Sequence, residues 1–490
     1  MKKIFALTLL FIMTLTLTAC SASNIFDFIL VEDSNEFLTM VTSADWPPFE
    51  FITFDERGRQ TVRGVDIELG KAIAKNAGMN LRVIHKGFDF LIEDVRSGAA
   101  DMAIAALTPT TERRQVVDFS YSYFDSETVV VVRNSDLGNF ATLDDLNNPN
   151  IRVGAQLGSL QQFLLEETAP NANMSLLQTG PELLQFLVNG NLDAVIFEEA
   201  VFNTSAADFP SLSIALPLHS AYSGYSVITQ QGNTELMAII NQTILELRET
   251  NEINYWFDYY SNFEHPEGSG AVWSWANISL LLNGLLMTII FALLAVALGA
   301  LLALVPAFMR ISGSVILRQI ATWYIEIIRG TPIIVQVFIF YALIVIRPIP
   351  FMGIDLGAFI PGLIALVVNC SAYIAEIIRG GIQSVDKGQT EASRSLGMSN
   401  SQTMFKVILP QAVKKIIPSL GNEFVTIIKE TSIFMFLGVA ELMFQVRIIQ
   451  SRTFRSLEVF LVAGVLYLLI TIPVSKLMNH LERKLKYESK

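Results

Sequence analysis

The chain has 490 residues, of which 52% are hydrophobic and only 16% charged, against about 25% charged in ordinary soluble proteins, which excludes both a disordered chain and a simple cytosolic enzyme. Such a length calls for about three folded units rather than one core. Residues 21–270 carry 13 basic and 35 acidic side chains, net −22, whereas residues 271–490 carry 19 and 11, net +8. An acidic soluble part joined to a basic, apolar part is the asymmetry of an extracytoplasmic domain followed by a membrane domain with basic cytoplasmic loops.

At the N-terminus, Lys2 and Lys3 precede an apolar run from Ile4 to Leu17, too short to span a bilayer comfortably and built like a secretory signal. Residues 1–20 are therefore expected to be a signal peptide. The run ends Leu17-Thr18-Ala19-Cys20, which resembles the bacterial lipobox and implies a lipidated cysteine; an ordinary signal with a chance cysteine is the alternative. The other cysteine, Cys370, lies in an apolar segment, so no disulfide is expected in the soluble part. His85, His219, His265 and His480 are far apart and have no Cys or carboxylate at metal-ligand spacing, so no metal is expected.

From residue 37 to 265, short apolar strands (Leu38 to Thr42, Met102 to Ala105, Thr128 to Val132, Arg152 to Gly154, Ala194 to Phe197) alternate with helical stretches such as Val65 to Ala77, an α/β pattern. Within it stand Trp46-Pro47-Pro48-Phe49-Glu50, Val65-Asp66-Ile67-Glu68-Leu69, Phe88, the run from Asp101 to Arg113 and Val117-Asp118-Phe119-Ser120. Their order and spacing resemble the extracellular solute-binding proteins of polar amino-acid ABC importers. The resemblance covers nearly all of 37–265 and implies a two-lobed α/β domain of the periplasmic-binding-protein kind. It implies lobes joined by strands near Thr128 to Arg133 and Tyr222 to Thr229, closing over a bound ligand.

An amino acid is a zwitterion, so its site needs a cation for the carboxylate, an anion for the ammonium and apolar walls. By the resemblance, Arg113 of the T-x-T-x-E-R stretch holds the carboxylate, helped by Thr108, with Arg114 as an ordinary solvated competitor. Glu198 falls where the family usually has an aspartate for the ammonium, and Glu199 is an alternative. Trp46 and Phe88 match the aromatic walls, though core packing explains such residues equally well. Gln156, Gly158 and Ser159 match a Q-x-G-[ST] turn of the second lobe. Ala106 stands where relatives often have glycine.

Beyond a linker at 266–276, apolar runs near 278–306, 319–346, 357–378, 421–443 and 457–475 are each long enough to cross a bilayer. An all-α membrane domain of five transmembrane helices is therefore expected over 277–490. With the soluble domain outside, fifteen basic residues fall inside and four outside: Arg347, Arg447, Arg452 and Arg455, as the positive-inside rule requires. The C-terminus is then cytoplasmic. Glu326, Glu376, Lys429 and Glu430 lie in or near the spans, where charge is costly.

The segment Gly388-Gln389-Thr390-Glu391-Ala392-Ser393-Arg394-Ser395-Leu396-Gly397, followed by Ile408-Leu409-Pro410, resembles the EAA loop of ABC-importer permeases, with Ser393 in place of the second alanine. Arg329-Gly330-Thr331-Pro332 and Ala375-Glu376-Ile377-Ile378-Arg379-Gly380-Gly381 match the same family. This loop, near 388–410, implies docking on an ATPase through Glu391, Ala392 and Gly397. The chain has no G-x-x-x-x-G-K-[ST] motif, so ATP and Mg are expected on a partner ATPase dimer and no cofactor in this chain. Five spans imply a permease dimer, homodimeric if no sister chain exists.

The expectation is a substrate-binding and permease subunit of an amino-acid importer, not an enzyme, in a bacterial cell membrane. Its partners are lipid, amino acid, ATPase and a second permease copy, with no nucleic acid. A ligand-gated channel on the same binding fold expects membrane helices inserted between the lobes, whereas these follow the binding domain. An enzyme would leave the EAA-like loop unexplained, and a sensor would need an output domain.

Overall fold

The computed structural model describes residues 24–55, 59–220, 222–263, 273–351, 354–453 and 455–487. The signal peptide with Cys20 and most of the 266–276 linker lie outside the described residues.

Two sheets form two lobes. The first has the strand order Ile25–Phe28, Asn80–His85, Phe37–Thr42, Met102–Ala103, Tyr225–Gln230, Val117–Phe124. Its central pairings are parallel, Phe37 opposite Asn80 and Met40 opposite Met102, and its outer ones antiparallel. Strand Ile25–Phe28 joins this sheet from before residue 37. The helix Val65–Asn76 covers the sheet because Val65, Ile67, Leu69 and Ile73 all turn inward, while Asp66 and Glu68 occupy its first turn and Lys75 its last, as the helix dipole favours.

The second lobe's sheet runs Asn173–Leu177, Arg152–Gln156, Ala194–Glu198, Thr128–Arg133, Leu212–Leu218. Thr128–Arg133 is an inner strand with four consecutive valines, all buried. Period-two geometry sends Val129 and Val131 into one core and Val130 and Val132 into the other. It is thus a pillar of the second lobe rather than a linking strand. The chain crosses between lobes just before it, between Phe124 and Thr128, and again between Leu218 and Tyr225.

Three helices, Trp275–Ile311, Leu356–Gln383 and Leu457–Arg483, are long and apolar enough to cross a membrane. Two bent pairs bring the crossings to five when each pair is one span. Val315–Gly330 meets Ile333–Leu343 at 106°, where extended Thr331 and then Pro332 interrupt the helix. Asn400–Leu437 meets Leu442–Thr453 at 53°, across Gly438 at φ 76°. The two apolar runs expected as single helices are therefore each a pair of helices meeting at a sharp bend, for local backbone reasons that hydropathy does not register.

The binding domain sits directly on the membrane domain. Lys86 Nζ donates to Asp94 (2.6 Å) and to the Tyr341 hydroxyl (2.5 Å), and that hydroxyl donates to the second Asp94 oxygen (2.7 Å). Arg347 pairs with Asp101 at 2.5 Å, Arg447 reaches Glu182 at 3.6 Å, and Arg452 lies over the Phe54 ring at 4.2 Å. Ala440, Phe444 and Ile448 join an apolar core cluster that contains residues of both lobes. Three of the four arginines assigned to the outer side thus touch the binding domain. Their position outside is repaid by partners there, which places the binding domain and these arginines on one side of the membrane.

Candidate functional site

Between the lobes lies a narrow, nearly closed cleft with a cavity of about 20 Å³. Trp46, Phe88, Ala106, Thr108, Arg113, Gln156, Ser159 and Glu198 border it, together with Ser43, Asp45, Glu50 and Gln161. Of the nine residues assigned to the site from sequence, Gly158 alone does not line it; the alternatives Arg114 and Glu199 do not line it either.

Arg113 opens a short helical turn after the polar loop of the first lobe and is 8% exposed. Its guanidinium donates to the Thr108 carbonyl at 2.8 Å and, across the lobes, to the Gly158 carbonyl at 2.9 Å. Gly158 therefore meets the site through its backbone oxygen. Burial lowers the Arg113 pKa to about 10, still charged at neutral pH, and the Phe88 ring lies 5.8 Å beneath the cation. Arg114 points outward over Phe119.

On the opposite lobe, Glu198 ends strand Ala194–Glu198 and is 4% exposed. One of its oxygens accepts from Gln161 Nε2 at 2.5 Å. Burial pushes its pKa up to about 7, while Ser126, Tyr225 and Gln161 restrain the rise. Glu199, one residue on, faces a separate hollow with Asp125, Asn203 and Phe257, so it does not share the cavity.

Gln156 and Ser159 are held by their own turn. Gln156 Nε2 donates to the Gln178 carbonyl at 2.9 Å, and Ser159 caps helix Leu160–Thr168 while its hydroxyl donates to the Gln156 carbonyl at 2.6 Å. Ala106 has φ 47°, a left-handed conformation that glycine adopts freely and alanine at a cost of about 1 kcal/mol. Its N–H is thereby turned to Asp66 at 3.0 Å. Trp46 is both wall and core: its ring packs 4.8 Å from Phe197 and leaves no room for a Cβ at Gly180.

Sequence reasoning missed the acidic side of the cleft. In the hairpin of Asp45–Trp46 with Glu50–Phe54, Trp46 stands directly opposite Glu50, so both share one face. Burial raises Asp45 to about 7, and Asp66, behind the wall, to about 6. Burial and the neighbouring Asp66 raise Glu50 as well. The signal was available in Glu50 of the Trp46 to Glu50 segment, a carboxylate inside an apolar run, but its companions come from separated parts of the chain.

In the EAA-like loop, helix Lys387–Ser395 ends in a Schellman motif: the Met398 N–H reaches the Ser393 carbonyl, and the Gly397 N–H that of Arg394, with Gly397 at φ 84°. Gly397 is there for the backbone turn, since nothing lies within 4 Å of a Cβ built on it. Glu391 and Ala392 are exposed, and so are the apolar Leu396 and Phe405. Of the charges flagged in or near the spans, Glu376 is paired with Arg379 (2.6 Å) and Arg310 (3.3 Å), whereas Glu326 and Lys429 stay exposed on the bundle surface.

Residues 295–487 match the family of binding-protein-dependent transport system inner membrane components, and residues 38–262 match bacterial extracellular solute-binding proteins, family 3. The glutamine transport system permease protein GlnP of Escherichia coli K12 is 41% identical over 217 residues, 44% of this chain and 97% of that protein. The chain belongs to the binding-protein-dependent transport family. It is a transporter component rather than an enzyme, fusing a solute-binding domain to the permease of an ABC importer, a family whose members imply ATP and Mg on a separate ATPase subunit. The probable glutamine ABC transporter permease protein GlnM of Bacillus subtilis is 39% identical over 210 residues, 43% of this chain and 95% of that protein. A solved amino acid ABC transporter substrate-binding protein, AbpA from Streptococcus pneumoniae bound to L-arginine, is 32% identical, with a TM-score of 0.44 over 46% of this chain and 94% of that one.

Proposed function

We propose that this importer chain captures an amino acid outside a bacterial cell and passes it through a permease homodimer driven by a pair of ATPase subunits. In this reading Arg113 binds the α-carboxylate and Glu198 the α-ammonium. Trp46 and Phe88 flank the side chain, and Ala106, Thr108, Gln156, Gly158 and Ser159 complete the site. One observation carries it: a buried arginine bridging the lobes and a buried carboxylate from the facing lobe border the same cavity. A zwitterion would bridge the two and favour closure over the open form, which is the only way a ligand shifts that equilibrium.

The permease relatives are named for glutamine transport, which supports an amino acid as cargo. Exposed Glu326 and Lys429 within apolar helices support a second copy, because a charge on such a face is costly against lipid. Glu391, Ala392 and Gly397 form the ATPase-docking loop, supported by the exposed Leu396 and Phe405 beside them. The domains divide at 37–265, 266–276 and 277–490 after a signal peptide at 1–20, and the C-terminus lies in the cytoplasm.

The test is calorimetry of the full chain in lipid nanodiscs against the common amino acids, with uptake into vesicles reconstituted with the ATPase. Binding of at least one amino acid with ATP-dependent uptake of the same compound is expected; absence of both refutes the reading.

A further inference from the structure

The amino-acid reading leaves the side chain of the ligand open, and the cleft carries more charge than a neutral amino acid uses. Among the described residues bordering the cavity there is one Arg or Lys, Arg113, against three carboxylates: Asp45, Glu50 and Glu198. The α-carboxylate and α-ammonium of any amino acid take up Arg113 and Glu198, one each. Asp45 and Glu50 then remain, facing the same space.

Each has partners but retains acceptor capacity toward the cleft. Glu50 is 1% exposed and its Oε2 has no hydrogen-bond partner among the described residues. Its neighbour Asp66 accepts from the Tyr123 hydroxyl (2.8 Å) and the Ala106 N–H (3.0 Å) and shares a side-chain hydrogen bond with Glu50, which raises the Glu50 pKa and leaves Oε2 without a partner. Asp45 accepts from the Ser43 hydroxyl at 2.8 Å and from its own N–H. Arg447 acts on Asp45 only from the permease side, where it pairs with Glu182. Arg113 gives two of its five N–H donors to Thr108 and Gly158 and keeps the others for the α-carboxylate.

We infer that the ligand is a cationic amino acid, whose side-chain ammonium or guanidinium lies against Glu50 and Asp45. Trp46 and Phe88 suit the rest of such a molecule, since aromatic faces pack on an aliphatic stem and attract a cation. A neutral amide or ureido side chain can donate N–H bonds to Glu50 and Asp45 but brings no charge to offset two buried carboxyl groups, which a cation does.

The experiment compares L-arginine, L-lysine, L-citrulline and L-glutamine by calorimetry on the full chain in nanodiscs; citrulline matches arginine in shape but lacks its charge. Arginine or lysine is expected to bind at least about 100-fold more tightly than citrulline and glutamine. Glu50→Gln should narrow the arginine to citrulline ratio to within about tenfold by weakening arginine alone. Asp45→Asn is the second variant, narrowing the ratio in the same direction should Glu50→Gln fail to fold. Citrulline or glutamine binding as tightly as arginine overturns the inference while leaving the amino-acid reading intact. A charge preference that survives in both variants overturns the placement at Glu50 and Asp45. Failure of every amino acid to bind removes the underlying reading and this one with it.

Discussion

The Arg447 guanidinium, on a helix of the permease, lies 3.6 Å from the Glu182 carboxylate, on a helix of the binding domain's second lobe. The same permease helix packs Phe444 against His85 of the first lobe, with ring centroids 5.4 Å apart. One rigid element of the membrane domain therefore touches both lobes, so their relative position is mechanically available to the permease.

Loss of this pair should separate docking from binding. Arg447→Ala is expected to leave amino-acid affinity within about threefold, because Arg447 is not in the cleft, and to lower ligand-stimulated ATP hydrolysis severalfold. Arg447→Glu combined with Glu182→Arg should restore much of the stimulation, whereas Arg447→Glu alone should not. ATPase assays in nanodiscs, with calorimetry on the same samples, decide this; unchanged stimulation in all three variants removes the coupling role.

Arg113→Ala should abolish measurable ligand binding while the chain still folds and inserts. Truncating one member of a buried charged pair costs about 2–5 kcal/mol, or more than about 30-fold in affinity. Arg113→Lys should recover only part of it, because the ammonium lacks the fork that serves two acceptors at once. Glu198→Gln is expected to weaken binding similarly, and Glu199→Gln to change little. Equal affinity in Arg113→Ala and the parent would refute the assignment.

Affinity should depend on pH through Glu198. Its pKa stands near 7 in the empty cleft because of burial, so below pH 7 it is protonated and must release its proton to receive an ammonium. Affinity is therefore expected to fall as pH drops from 7, by up to tenfold per unit, and to level off above it; Asp45, also near 7, steepens the fall if the ligand is cationic. Stability of the empty protein runs the other way. A carboxyl raised from about 4.5 to about 7 by folding contributes stability that is fully present below pH 4.5 and lost as pH rises through 7. Calorimetry and thermal unfolding across pH 5 to 8 should show these opposite slopes, and affinity rising toward low pH would contradict the role given to Glu198.

The EAA-like loop should affect transport without affecting capture. Gly397→Ala places a side chain at φ 84°, at a cost of about 1 kcal/mol to the helix end, and should slow uptake; Gly397→Trp and Glu391→Lys should stop it. Ligand affinity should be unchanged in all three. If Gly397→Trp and Glu391→Lys assemble with the ATPase and transport normally, the loop is not the coupling element.

Much of this protein was legible in the linear chain because its signals are local. Apolar runs after residue 277 mark membrane helices, the charge balance orients them, and the Asp101 to Arg113 stretch carries the arginine of the cleft with its own loop. The four valines of Thr128–Arg133 read as a strand for the same reason, though their pattern is silent about which lobe they serve. That was decided by pairing with Ala194–Glu198 and Leu212–Leu218, residues more than sixty positions away.

What tertiary structure alone decided is every property that depends on burial and on distant neighbours. Glu50 and Asp45 look like ordinary acids in sequence, and become unusual only because folding removes their water and sets them beside Asp66, Glu198 and each other. Glu198 and Glu199 are adjacent and chemically alike, yet Glu198 ends a strand that faces the cleft while Glu199 begins the following helix and faces a separate hollow. Arg447 and Arg452, a puzzle for charge counting, are explained by Glu182 and Phe54. Hydropathy and motif spacing are properties of neighbours along the chain. Desolvation and pairing are properties of neighbours in space, and they exist only once the chain has folded.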